Sequence, residues 1–386
     1  MQIIADENMP YVREWFAPYG DVRTLPGRSL TAAMVREADV LLVRSVTKVD
    51  QHLLQGSRVR FVGSATSGIE HVDSEYLKSH GIAFASAPGC NATAVAEYVI
   101  SCLYALDGVL ENLLAGGSVG ILGLGNVGAR LSKRLQALGI RCIGYDPFIG
   151  ENRELLLCDF DTVLDADVIC CHTPLTSVGA YSTWHLFDEK KLLHLREGAV
   201  LINAGRGAVV DNAALLSVLR QRDDLRVVLD VWEREPDIDL ELLQAVTLAT
   251  PHIAGYSWDG KVAGTRQILA AYCDFFQLPL PTLDLPVNLQ ISKPVLRVAE
   301  NLSGTALLRS ALQSIYDVRA DDSKMRDTLL SCAGLSCAGE PVASNFDALR
   351  KQYPIRREVA AQTIENWSML SVENKNLLRR LGFSDQ

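Results

Sequence analysis

The stretch Ser118-Val-Gly-Ile-Leu-Gly123-Leu-Gly125-Asn126-Val127-Gly128 runs an apolar strand straight into a G-x-G-x-x-G turn. Val127, Leu131, Leu135 and Leu138 then recur at helical spacing, and Gly139 stands where a C-cap belongs. The glycines therefore occupy a strand-to-helix junction. Such a junction needs glycine for the tight turn, for backbone approach to a phosphate, and for close packing of helix on strand. The helix that opens there presents unpaired N–H groups to a pyrophosphate. Asp146 follows at the end of the next apolar run, 18 residues beyond Gly128. A carboxylate there accepts from ribose hydroxyls and repels a 2′-phosphate, so the pattern predicts NAD rather than NADP. The competing reading is an ordinary glycine turn with Asp146 capping a loop before Pro147; strand, glycines, helix and acid in this one order favour the dinucleotide.

Working outward, apolar runs at Val119–Leu122, Ile140–Tyr145, Val168–Cys171, Ala199–Ile202, Val227–Val231 and Val246–Ala249 are spaced for intervening helices. They predict a doubly wound parallel sheet. Shorter runs at Ile3–Ile4, Val40–Val43, Val59–Val62 and Ile82–Ala85 predict a second parallel α/β lobe before it. Val95, Val99, Leu103 and Leu106 place a joining helix over Ala92–Leu106, and a further helix is expected over Lys261–Phe276. Pro279, Pro281 and Pro286 then read as a linker, after which Leu302, Leu307, Leu308, Leu312 and Ile315 repeat at helical intervals. Arg356 and Arg357 read as part of a solvated charged face, with reach into a neighbouring subunit's active site as the other reading.

The 386 residues suit two or three domains, and 48% hydrophobic with 22% charged residues is a globular composition. A net charge of −9 opposes attraction to nucleic acid or anionic lipid, which leaves a small-molecule partner. No basic stretch and apolar run opens the chain, and no apolar segment is long enough to span a bilayer. Nine scattered cysteines lack zinc-site spacing, so reduced thiols in a cytoplasm and no metal are expected.

Three segments close the second lobe's strands: Asn203-Ala204-Gly205-Arg206-Gly, Asp230-Val-Trp-Glu-Arg-Glu235-Pro and Thr250-Pro-His252-Ile-Ala-Gly255. Ligands bind open parallel sheets at such carboxyl ends. Oxidation of a 2-hydroxy acid needs a base for the hydroxyl proton, a cation for the carboxylate, and a hydride acceptor. His252 fits the first role and Arg206 the second, since a guanidinium fork grips a carboxylate bidentately. Glu235 is placed to favour the charged imidazole. Singly, Arg206 reads equally as a loop charge, Glu235 as an acid starting a helix, and His252 as a core histidine. Their shared strand-end placement argues for a site. Thr173, Ala204 and Asp230 end strands where a nicotinamide would lie, Asp230 as a carboxamide acceptor; turn chemistry is the other reading for Thr173 and Asp230. Arg44, Ser45, Thr47 and Lys48 gather donors and charge after the Val40–Val43 run, which suits a phosphorylated acid with Arg44 or Lys48 as anchor, or else a solvated basic turn.

On these motifs the chain resembles the D-isomer-specific 2-hydroxyacid dehydrogenase family. Asp6–Tyr11, Val43–Lys48, Pro88–Asn91, His252–Tyr256 and Tyr316–Arg319 narrow the resemblance to the branch that oxidises 4-phospho-D-erythronate with NAD, a step in pyridoxal 5′-phosphate (vitamin B6) biosynthesis. The resemblance implies Arg206, Glu235 and His252 as catalytic residues, and Ser45, Thr66 and Tyr256 at the substrate. It implies Asp146, Thr173, Ala204 to Arg206, Asp230 and Gly255 at NAD. It also implies a homodimer built through the C-terminal domain. The resulting fold class is α/β: two Rossmann-like doubly wound parallel-sheet lobes plus a smaller C-terminal α+β dimerisation domain. The expected domains are residues 1–93 with 257–285 for substrate, 94–256 for NAD, and 286–386 for dimerisation. Asp107–Gly117 looks shortened against the family pattern. Two alternatives are weighed: a D-3-phosphoglycerate dehydrogenase whose last hundred residues are regulatory, and an NAD-sensing module with little turnover.

Overall fold

The computed structural model describes residues 1–150, 155–283, 291, 293–331 and 341–383. It falls into two compact units, Met1–Ala92 with Ser257–Lys293, and Thr93–Tyr256 with Pro294–Gln386. The expected boundary at 285/286 and Pro286 of the linker lie outside the described residues.

In the first unit the strands are β1 (Gln2–Asp6), β2 (Asp21–Leu25), β3 (Val40–Val43), β4 (Phe61–Ser64) and β5 (Ala83–Ser86), ordered β2-β1-β3-β4-β5 and all parallel. β3 and β4 are buried along their whole length, as residues covered on both faces of a parallel sheet must be. Trp258–Phe276 returns to this unit as its longest helix, capped by Ser257 Oγ. Its Ile268, Leu269 and Tyr272 enter the core with Ile3, Phe16, Leu42 and Phe61. β2 had no counterpart among the apolar runs, because this edge strand leaves its residues partly open and carries Asp21, Arg23 and Thr24.

The second unit carries a seven-stranded parallel sheet: β6 (Ser118–Leu122), β7 (Arg141–Tyr145), β8 (Leu156–Leu157), β9 (Val168–Cys171), β10 (Val200–Asn203), β11 (Arg226–Leu229) and β12 (Leu248–Ala249). Their order, β12-β11-β10-β9-β6-β7-β8, reverses direction at β6 and β9. Ligand crevices open at such a switch point. Six strands were expected; the seventh, β8, is a two-residue edge pairing on β7. The Asp107–Gly117 connection folds into a helix over Val109–Leu114 whose Val109, Leu110 and Leu113 are buried.

The C-terminal region of this unit is mainly helical, with helices at Gly304–Ile315, Val318–Leu330, Val342–Lys351 and Val372–Leu381 and a parallel pair β13 (Val295–Leu296) and β14 (Thr363–Ile364). The Leu307, Leu308 and Leu312 stripe is buried as its spacing predicts. It lies in one apolar core with Tyr98, Val99 and Leu103 of the Ala92–Ala105 helix.

Candidate active site

The glycine turn has the geometry its sequence requires. Gly128, inside the first turn of the Asn126–Ala137 helix, could not carry a Cβ, which would lie 2.1 Å from Gly123 O. A Cβ on Gly125 would meet nothing within 4 Å, so this face of the helix N-terminus stands open for a phosphate to approach. Asp146 follows β7 and ties the turn to it: Oδ2 accepts from Leu124 N at 2.9 Å and Oδ1 from Phe148 N at 3.0 Å. Across the turn, at the end of β9, both ring nitrogens of His172 and Thr173 Oγ1 are buried without a hydrogen-bond partner. Burial drives His172 down to about 4, which keeps the ring neutral at physiological pH. Orphaned buried polar atoms are rare in folded proteins. Beside an open helix N-terminus and an anchored aspartate they fit a polar dinucleotide, as the glycine pattern predicts.

Arg206, Glu235 and His252 come from the loops after β10, β11 and β12. Asn203 shapes the first loop, its Oδ1 accepting from Gly205 N at 3.2 Å and its Nδ2 donating to Arg206 O at 2.9 Å. Gly207 lies against the next loop so closely that a Cβ would sit 2.0 Å from the Trp232 carbonyl carbon. In that second loop Glu235 Oε1 accepts from Trp232 N at 2.8 Å. Its Oε2 meets His252 Nδ1 at 2.7 Å. Burial acts to raise the Glu235 carboxyl, but His252, the Trp232 N–H and Arg350 together hold it below the usual carboxylate range.

His252 has a left-handed backbone, φ 56°, a conformation rare outside glycine. Asp230 holds it there. Its side chain is 1% exposed, and Oδ1 accepts from Ile253 N at 2.7 Å and Thr250 Oγ1 at 2.7 Å. Oδ2 accepts from Ala254 N at 3.0 Å, while Asp230 O accepts from His252 N at 2.7 Å. Asp230 therefore shapes the histidine loop, a task that its expected role as a nicotinamide contact did not include. A brace behind Glu235 also went unread in the sequence. His185 Nε2 meets Glu233 Oε1 at 2.8 Å, and Nδ1 meets Asp211 Oδ2 at 3.3 Å. An imidazole held at both nitrogens by carboxylates is a polar strut between the loops bearing Arg206 and Glu235.

Of the expected substrate residues, Arg44 and Ser45 follow β3 and Thr66 follows β4, on adjacent strands of the first unit. Thr66 Oγ1 donates to Gly68 O at 3.1 Å and lies 2.8 Å from Ser64 Oγ. Thr47 is not available as a donor: it is buried, and Oγ1 donates to Gly27 O at 3.0 Å. Lys48 turns out to solvent, 82% exposed, and pairs with Asp50 at 3.0 Å. The cation that stands with Arg44 is instead Lys261, in the first turn of the Trp258–Phe276 helix. Burial, and then the neighbouring Arg44 charge, push its ammonium down to about 8. A half-buried ammonium held beside a guanidinium suits an anionic ligand. Tyr256, the remaining expected substrate contact, belongs to the second unit, as does Gly255 beside it.

Comparison with known proteins shows the family of the chain. Residues 104–254 match the family described as D-isomer specific 2-hydroxyacid dehydrogenase, NAD binding domain, and residues 292–382 match a domain of unknown function. The erythronate-4-phosphate dehydrogenase of Cellvibrio japonicus is 50% identical over 93% of this chain and 93% of its own length. The enzyme of that name from Proteus mirabilis is 46% identical over 100% of this chain and 99% of its own. Among solved structures, the NAD+-bound 3-phosphoglycerate dehydrogenase of Entamoeba histolytica superposes with a TM-score of 0.62 at 23% identity, covering 74% of this chain and 99% of that one. That last likeness concerns the fold.

Proposed function

The chain belongs to the erythronate-4-phosphate dehydrogenase family, and from that premise we propose that it oxidises 4-phospho-D-erythronate at C2 to (R)-3-hydroxy-2-oxo-4-phosphobutanoate, using NAD, in pyridoxal 5′-phosphate biosynthesis. It is an NAD-dependent 2-hydroxyacid dehydrogenase. The observation that carries the mechanism is the 2.7 Å contact between His252 Nδ1 and Glu235 Oε2 at the carboxyl ends of the sheet.

NAD, when bound, accepts the hydride from C2. Gly123, Gly125, Asn126, Val127 and Gly128 would hold it at the helix N-terminus, Asp146 at the ribose, and Thr173, Ala204, Gly205, Arg206, Asp230 and Gly255 along the strand ends. Glu235 fixes the tautomer of His252, whose Nδ1–H points at the carboxylate, so that Nε2 takes the C2 hydroxyl proton. Glu235 remains a carboxylate throughout and stabilises the imidazolium that forms. Arg206 binds the substrate carboxylate and the oxygen at C2. Arg44 with Lys261 takes the phosphate, Ser45, Thr66 and Tyr256 the remaining oxygens. No helix among the described residues is long and apolar enough to cross a membrane. A cytoplasmic homodimer assembled through the C-terminal region completes the proposal.

NADH absorbance with 4-phospho-D-erythronate, run beside D-3-phosphoglycerate and an Arg206→Ala variant, tests it. Selective turnover of phosphoerythronate that vanishes in the variant is the expected outcome. Preference for phosphoglycerate, or NAD binding without turnover of either acid, would sink the proposal.

A further inference from the structure

The C-terminal region reaches the reaction centre. Arg350, at the end of the Val342–Lys351 helix, sets its guanidinium 5.7 Å from the Tyr256 ring centroid and hydrogen-bonds that side chain. Tyr353 packs edge-on against the same ring at 5.9 Å, and its hydroxyl donates to Asp321 Oδ2 at 2.8 Å. Arg356 is buried against the ring of Tyr316 at 4.5 Å and donates to the carbonyl of Ala254. The solvated face expected for Arg356 is thus replaced by a buried cation: a carbonyl and an aromatic ring stand in for water. Three residues spaced by three along the chain grip the carbonyl of Ala254 and the ring of Tyr256, either side of Gly255. His252, with its left-handed backbone, starts that loop.

We propose that Arg350, Tyr353 and Arg356 form a clamp on the His252–Tyr256 loop, as positioning residues that make the C-terminal region a working part of the reaction centre. The proposal rests on His252 as the acid–base group. Asp230 holds the loop by the backbone amides of Ile253 and Ala254; the clamp holds the Ala254 carbonyl and the Tyr256 ring. The charges facing His252 are Glu235 and Asp230, with Arg350 acting on Glu235 from the C-terminal side. Arg350 also has a buried Nε without an acceptor among the described residues.

The test uses the full-length chain with Arg350→Met, Arg350→Lys and Arg356→Lys. Thermal transition and NAD affinity serve as checks on folding, and 13C-labelled histidine NMR, assigned by loss of the signal in His252→Gln, reads the imidazole directly. Removing the Arg350 cation should move the His252 titration midpoint, and with it the acid limb of kcat/KM, upward by about half a pH unit. Arg350→Lys should restore most of that shift. Arg356→Lys should lower kcat about tenfold with NAD affinity little changed. A midpoint that stays put in folded Arg350→Met overturns the proposal, whatever happens to kcat, and this variant decides alone if Arg356→Lys does not fold. Because the titration needs no substrate, absence of wild-type turnover would count against the reaction assigned above and leave the clamp to be judged separately.

Discussion

At the scale of single residues, the candidate catalytic set was legible because each member has a distinctive chemistry and a fixed motif: Arg206 after Asn203-Ala-Gly, Glu235 before Pro236, His252 after Pro251. His252→Gln should lower kcat by about 10²- to 10⁴-fold, the usual worth of a positioned acid–base group, with NAD affinity held. Glu235→Gln keeps the size of the side chain but removes the charge, so a comparable loss in kcat is expected, with a pH profile shifted to lower pH. Lys261, His185, Arg350 and Arg356 were not legible as partners. A lone basic residue carries no sign of what it will face, and each of these meets its neighbours only across the fold. Lys261 makes a prediction with a definite sign. Its folded pKa, about 8, lies below the ordinary lysine value of 10.5, so the folded state disfavours the proton it must carry at neutral pH. The destabilisation is present below about pH 8 and disappears as pH rises from there through 10.5, where the unfolded chain also loses the proton. Lys261→Met should therefore raise the melting temperature near neutrality, with the difference from wild type fading toward alkaline pH. It should also raise KM for the phosphorylated substrate about tenfold or more, if the ammonium holds the phosphate. Melting curves across pH and steady-state kinetics check both halves.

At the scale of elements, strands buried on both faces announce themselves as unbroken apolar runs, which is why β3, β6, β9, β10 and β11 were legible. β2 and β8 were not. An edge strand needs neither a continuous apolar run nor much length, so β2 hides in Asp-Val-Arg-Thr-Leu and β8 in a single pair of leucines. The loops that carry chemistry are held by contacts that periodicity cannot show, such as the approach of Gly207 to the Trp232 carbonyl. Gly207→Ala would force a Cβ into that carbonyl. A destabilisation of about 3 kcal/mol is expected, at the upper end of overpacking costs. Displacement of Arg206 relative to Glu235 should make the loss of kcat larger than partial unfolding alone explains. Chemical denaturation and kinetics on the same preparation separate the two effects.

At the scale of the molecule, the expectation of a third, separate C-terminal body meets a structure in which Pro294–Gln386 groups with Thr93–Tyr256. Leu307, Leu308, Val359, Leu378 and Leu381 lie in one core with Tyr98, Val99 and Leu103. Helical spacing showed that the stripe at Leu302–Ile315 would be buried but not against what, since an amphipathic face carries no address. A chain ended before Pro294 would uncover that apolar face. It is expected to be insoluble or molten, as read by soluble yield and near-ultraviolet circular dichroism, where an independent domain could be removed with little effect. Sedimentation of the intact chain at twice its 42.2 kDa mass is the outcome expected of the proposed homodimer.

The first unit is discontinuous: Trp258–Phe276 supplies Ile268, Leu269 and Tyr272 to a core begun by Ile3 and Phe16. On the ribosome, the part of the protein made first cannot close until more than half of the remaining chain has emerged. Its parallel sheet must wait, with one apolar face uncovered, while the entire seven-stranded sheet of the second unit is synthesised. Nascent chains halted short of Trp258 should therefore be the most chaperone-dependent stage of its biogenesis.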